Sequence, residues 1–247
     1  MKTIISFITA FVFFTSYLAR SQTIAWQNCL GGSDNDYGAS IVKTLDGGYL
    51  VAGEVQSSDG DVSGNHGQSD GWLVWLSRSG VVQSQKCLGG SLGDGATMAL
   101  QTADSGYIFL GTSVSIDGDV SGNHGGGDIW VVKLNSAKGI QWQKCLGGSN
   151  QETPYSLIMT SDGGHMIAGL TLSNNGNVSG NHGSADAWVV KLDMNGNIQW
   201  QKCYGGTNWD EANSVIQTAD GGYLLACSAY SNDGDVSGHH VGMISGW

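Results

Sequence analysis

The stretch Trp142-Gln143-Lys144-Cys145-Leu146-Gly147-Gly148 decides the fold because it does not occur once. It returns as Trp26-Gln27-Asn28-Cys29-Leu30-Gly31-Gly32, as Ser84-Gln85-Lys86-Cys87-Leu88-Gly89-Gly90 and as Trp200-Gln201-Lys202-Cys203-Tyr204-Gly205-Gly206. Each step is 58 residues without insertion or deletion. A fixed period of this size marks a stack of supersecondary units, each unable to bury its apolar face alone.

One unit reads as four strands. Ser40–Thr44 is short and β-branched, and Asp46-Gly47-Gly48 supplies a tight turn, since Gly tolerates positive φ. Tyr49–Val55 is the second strand, and a polar loop over 57–70 leads to the third, Trp72–Leu76. Arg78-Ser79-Gly80 turns into the fourth, Val81–Leu88. The third strand is apolar at consecutive positions, which predicts burial on both faces, as in a sheet held between neighbours. These features predict an all-β fold: a β-propeller of four-stranded antiparallel blades with a 58-residue repeat. Blades fall at about 34–91, 92–149, 150–207 and 208–247, the last incomplete, because the chain reaches Trp247 where a third strand should begin. Residues 22–33 match only a fourth strand and are expected to close a blade. Two readings of the end stay open, a fragment of a larger propeller and a compact four-bladed ring.

The composition agrees. Of 247 residues 40 are Gly and 1 is Pro, with 13% charged and 40% apolar, enough for a core and too few charges for a disordered tail. Lys2 followed by the apolar run 4–18 and the small residues Ala19 and Ser21 reads as a signal peptide over 1–21, which predicts a secreted, periplasmic or cell-surface protein with no membrane insertion after cleavage. Removing it leaves 8 basic against 21 acidic residues, a net charge of −13, which excludes nucleic acid as a natural partner.

Beyond the heptad, the pattern continues through Ser149, Asp162-Gly163-Gly164, Ala168-Gly169 and Asp186-Ala187-Trp188-Val189-Val190-Lys191-Leu192. It resembles the SBBP-type β-propeller repeat of secreted bacterial proteins, and the Trp-Gln-Lys-Cys-Leu-Gly-Gly variant is similar to that of surface and secreted proteins of Bacteroidota. The resemblance covers everything after residue 22 and implies a propeller, with no established activity. Ser84 in place of Trp, Cys227 in place of Gly and an altered last loop depart from the pattern.

The long loop carries the candidate chemistry. Asp59, Asp61, Ser63, Gly64 and Asp70 stand at positions 1, 3, 5, 6 and 12 of a calcium-loop template. Asp117, Asp119, Ser121 and Asp128 repeat the spacing, and so do Asn175, Asn177, Ser179 and Asp186 with less charge. The fourth copy has Asp233, Asp235 and Ser237, but position 12 is Ile244. Calcium is the one cofactor these loops suggest, and the reading ahead of it is that the side chains bond their own loop amides and stiffen a Gly-rich connection.

His66, His124, His182 and His240 recur in the same loops, too far apart to share one ion, and are expected to pack or hydrogen-bond. Equivalent cysteines on stacked blades sit about 10 Å apart, beyond disulfide reach. Cys29, Cys87, Cys145 and Cys203 are thus expected as buried thiols, with Cys227 unpaired. Trp209 has no counterpart in other units and could stack a sugar.

Asp36, Asp94, Glu152 and Asp210 put one acid per repeat on the same face as the long loops. A catalytic pair needs two carboxylates in different environments, and equivalence splits no roles. The sequence predicts a non-catalytic binding or scaffold module with an unknown protein or glycan partner. The alternative is a carbohydrate-active enzyme, a glycan hydrolase or lyase, using those carboxylates.

Overall fold

The computed structural model describes residues 24–238, all of them strand, turn or loop. The signal-peptide segment, His240 and Ile244 lie outside the described residues. Three units are complete antiparallel meanders: β1 (Asp36–Lys43), β2 (Tyr49–Val55), β3 (Asp70–Leu76), β4 (Val82–Leu88); β5 (Asp94–Gln101), β6 (Tyr107–Ser113), β7 (Asp128–Leu134), β8 (Ile140–Leu146); and β9 (Glu152–Met159), β10 (His165–Thr171), β11 (Asp186–Leu192), β12 (Ile198–Tyr204). The fourth unit shows two strands, β13 (Asp210–Gln217) and β14 (Tyr223–Ala229). This is the propeller-type blade that the repeat predicts.

The first strands begin four residues earlier than the sequence suggests, at Asp36 rather than Ser40. Each carries a bulge that leaves Ala39, Thr97, Tyr155 or Asn213 without a partner across the ladder. The extra residue breaks the alternation that would have revealed the full strand. The Asp-Gly-Gly turns form as expected: Gly47 takes φ 84°, and Asp46 Oδ1 accepts from Thr44 Oγ1 at 2.5 Å and Gly48 N–H at 3.1 Å.

The core lies between blades. Leu50, Ala52, Leu73 and Trp75 of the first meet Ala96, Ala99, Phe109 and Trp130 of the second, and Ile108, Leu110 and Ile129 meet Leu157, Ile167 and Trp188 at the next junction. Strands β3, β7 and β11 are buried along their whole length, as their unbroken apolar runs require. The described units stack in sequence as an open row. Ile41 on the outer face of β1 is 58% exposed, whereas its equivalents Ala99, Leu157 and Val215 are 1%, 3% and 2% exposed under the preceding blade.

Residues 24–33 form no strand in the described structure. They run along the first blade, where Trp26 and Leu30 pack on the cluster of Val55, Trp72 and Val74. Trp26 covers Gly80 and lies 5.8 Å from the Tyr49 ring; Trp142 covers Gly196 in the same way, 6.0 Å from His165. At the junction between them the pair is Ser84 and Lys138. Lys138 adopts φ 68°, donates to Ser84 Oγ and sets its Nζ 4.5 Å from the centre of the Trp75 ring. The Ser84 departure from the repeat is thus answered by a second departure 54 residues later.

Candidate functional site

The connections after second and fourth strands share one end of the row, and their acids are structural caps. Asp94 Oδ2 accepts from Gly90 N–H and Ser115 Oγ, each at 2.7 Å, and Oδ1 accepts from Ser113 Oγ. Asp36 does the same with Gly32 and Ser57, Glu152 with Gly148 and Thr171, and Asp210 with Gly206 and Ser231. Asp94, Glu152 and Asp210 are buried. Burial alone would raise the Asp36 carboxyl, yet its bonds from Gly32, Ser57 and Gln56 hold it below the usual range. Burial pushes Glu152 up, with the neighbouring Asp128 charge acting in the same direction.

The structure places the expected calcium-loop oxygens on separate partners. Asp59 Oδ1 accepts from Ser33 N–H at 2.8 Å, Asp61 Oδ2 from Gly31 N–H at 3.3 Å, and Ser63 Oγ from Gln85 Nε2. Asp117, Asn175 and Asp233 repeat the first bond with Ser91, Ser149 and Thr207, each at 2.8 Å. Asn177 bonds Gly147 N–H, Ser179 bonds Gln201, and Ser121 bonds Gln143, while Asp119 donates its own N–H to Gly89 O. The amides that Asp59, Asp61, Asp117, Asn175, Asn177 and Asp233 satisfy belong to the preceding crossover, whereas Asp70, Asp128 and Asp186 accept from loop amides at His66, His124 and His182. Among the described residues no three or more His, Cys, Asp or Glu side chains gather as a metal cluster.

Position 12 of the template is buried and faces elsewhere. Asp70, Asp128 and Asp186 are fully buried, and each Oδ2 accepts from the Nδ1–H of His66, His124 or His182 at 2.5, 2.6 and 2.6 Å. An ionised carboxylate only accepts, so Nδ1 carries the proton and Nε2 points away from the pair. Burial raises all three aspartates despite these bonds, and the bond to Asp186 lifts His182 above the ordinary imidazole value. His66, His124 and His182 therefore hydrogen-bond within their loops, as expected.

Cys87, Cys145 and Cys203 are buried, and burial pushes each thiol up to about 12. Cys29 is the correction: it is exposed, because among the described residues no blade lies on the outer side of its segment. Cys227 is free and also exposed, on the open face of β14.

Residues that break the repeat at this end are apolar and exposed. Leu92 stands where the other units have Asp34, Asn150 and Asn208, and Ile116, 77% exposed, where they have Ser58, Asn174 and Asn232; Val114 lies between them at a position held by Gln56, Leu172 and Tyr230. Leu92 N–H bonds Ser115 Oγ and Val114 N–H bonds Gly93 O, so the three sit side by side. On the fourth unit Trp209 and Tyr230 are exposed and joined by a backbone bond of 3.0 Å. Aligning the four units shows all of these substitutions; the sequence reading singled out only Trp209.

At the opposite end, Lys133 and Lys191 are buried against Asp104 and Asp162, both at 2.9 Å, and against Gln141 and Gln199. Asp104 falls to about 2, chiefly through the Thr102 hydroxyl and then Lys133. His165 beside them is buried with neither ring nitrogen bonded, and burial, then the two lysines, lowers it to about 4.

Fold and loop end together define an all-β blade-repeat protein of propeller type. No family model matches the chain. The regulatory protein FlaEY of Caulobacter vibrioides is 29% identical over 126 residues, 47% of this chain and 13% of that protein. The chain thus matches a small part of a much longer relative. A mannose phosphorylase of Leishmania mexicana superimposes with a TM-score of 0.40 at 13% identity, covering 76% of this chain and 62% of that one. Among the described residues no helix is long and apolar enough to cross a membrane.

Proposed function

We propose that the chain, exported behind its apolar N-terminal segment, is a non-catalytic binding or scaffold module that meets its partner at the loop end. The observation that carries this is the exposed trio Leu92, Val114 and Ile116, in which Leu92 and Ile116 replace residues that are polar in every other unit. Apolar side chains grouped on an otherwise polar loop surface favour a protein partner. Trp209 and Tyr230 favour a glycan as the second reading, since an exposed aromatic face stacks on a sugar ring. The repeated carboxylates speak for binding over hydrolysis: all four cap their own crossovers through hydrogen bonds, and Asp94, Glu152 and Asp210 are buried, whereas acid–base catalysis needs a proton donor and an ionised partner facing one substrate.

The test is photo-crosslinking from position 114 together with a glycan array on residues 22–247. Expected is a captured partner whose yield falls at least about ten-fold in Leu92→Asp/Ile116→Asp, as loss of a small apolar contact predicts. Release of product from any arrayed glycan would replace this reading with the hydrolase or lyase one.

A further inference from the structure

Each inner junction holds two buried carboxylates from successive blades that meet across one glycine. A Cβ built on Gly89 would lie 2.5 Å from Asp70 Oδ1 and 2.9 Å from Asp94 Oδ2. On Gly205 it would lie 2.8 Å from Asp186 Oδ1 and 2.8 Å from Asp210 Oδ2, and on Gly147 it would meet Asp128 Oδ1 and Glu152 Oε2. Asp94, Glu152 and Asp210 accept bonds from the crossover amide and from hydroxyls. Asp70, Asp128 and Asp186 satisfy Oδ2 with a histidine, but Oδ1 is buried without any hydrogen-bond partner in all three copies. No lysine or arginine forms an ion pair with any of these six acids among the described residues.

Two carboxylates out of water, bonded by amides and hydroxyls but with only an imidazole beside them able to carry positive charge, leave negative charge unbalanced, which costs several kcal/mol unless a positive group joins them. Asp36 is the internal comparison. It caps Gly32 as the others cap their crossovers, but no described aspartate faces it, and its own bonds suffice to hold the carboxyl low. The imbalance arises only where two acids meet.

We propose that each inner junction is a cation site taking one calcium ion, bound by Asp70 with Asp94, Asp128 with Glu152, and Asp186 with Asp210. The converging donors are all oxygens, and the nearest imidazole nitrogen is already committed as a donor to the aspartate, which disfavours zinc or copper. Calcium accepts irregular oxygen sets of 6–8, the balance coming from backbone and water, whereas magnesium demands an octahedron and dehydrates reluctantly. The ion staples neighbouring blades instead of filling one long loop. The inference is independent of the binding reading, so partner capture can fail while ion uptake holds.

The experiment is calorimetric titration of chelator-stripped residues 22–247 with calcium chloride at pH 7.5, with thermal melts in parallel. Expected are three ions per chain and a Tm rise of about 5 °C at saturating calcium, reversed by chelator. Asp70→Asn/Asp128→Asn/Asp186→Asn should lose uptake while keeping or raising the metal-free Tm, because each amide donates to the facing carboxylate. Asp59→Asn/Asp61→Asn should keep all three ions. If the triple variant fails to fold, Asp128→Asn alone should bind two. No uptake in the parent chain overturns the proposal, and so does uptake lost with Asp59 and Asp61 but kept in the triple variant. A metal-free Tm that rises from pH 7.5 to 5.5 without any calcium uptake overturns it in favour of a shared proton.

Discussion

Replacing Ser84 by Trp and Lys138 by Gly together should rebuild at the first inner junction the contact that Trp142 makes with Gly196. There a Cβ on the glycine would stand 2.8 Å from the indole Cε3 and Cζ3, so only Gly admits the ring. Half-burying an indole removes roughly 100 Å² from water, worth about 2.5 kcal/mol. Lys138→Gly alone relieves a left-handed backbone at φ 68°, about 1 kcal/mol, and loses the contact with Trp75, also about 1 kcal/mol. That single change should be close to neutral. Ser84→Trp alone must share its site with the lysine stem and should gain at most about 1 kcal/mol. The double variant should gain about 2–3 kcal/mol, a coupling of about 1.5–2 kcal/mol in a cycle measured by urea unfolding. Effects that add within about 0.5 kcal/mol, or a double variant weaker than the parent, would refute the idea that the two departures compensate each other.

Ser105 holds φ 63° where Gly47, Gly163 and Gly221 stand in other units, so Ser105→Gly should stabilise by about 1 kcal/mol, seen as a Tm rise of about 2–4 °C. His165 stays neutral in the fold down to about pH 4 but protonates near 6.5 when unfolded, so the unfolded chain binds the extra proton between those values. Stability from this group is therefore full above pH 6.5 and declines by up to about 3 kcal/mol towards pH 4; His165→Tyr, the residue of the other units, should remove that slope from the difference in pH-dependent melts. Thiol labelling of the native protein, read by mass spectrometry, should modify Cys29 and Cys227 and spare Cys87, Cys145 and Cys203 until denaturant is added, since those three are buried with thiols near 12.

The blades were legible because strand, turn and burial signals are local. Trp72–Leu76 announces two-sided burial in five residues, and Asp46-Gly47-Gly48 announces its turn in three. The bulged residues were not, since Ala39 or Asn213 looks like any other strand position until its partner is known. The partners of the loop aspartates are hidden for a related reason. Spacing alone places Asp59, Asp61 and Ser63 around a centre, but crossover amides of the preceding unit compete for the same oxygens, and those donors lie 26 and 30 residues upstream. Nothing inside the loop names them. The clue that was present is that the spacing between Ser33 and Asp59 recurs as Ser91 to Asp117, Ser149 to Asn175 and Thr207 to Asp233. Cys29 shows the opposite limit: a repeat position predicts burial only where a neighbour exists on both sides.

The backward reach of those loops gives the row a direction in time. Chains emerge N-terminus first, and each Asp59-type clamp arrives 26 residues after the turn it fastens. A growing chain thus always trails one open seam, which closes once the first hairpin of the following blade and the loop after it have been made. Translation or export halted between the two leaves a completed sheet with unlatched Gly-Gly amides at its rim.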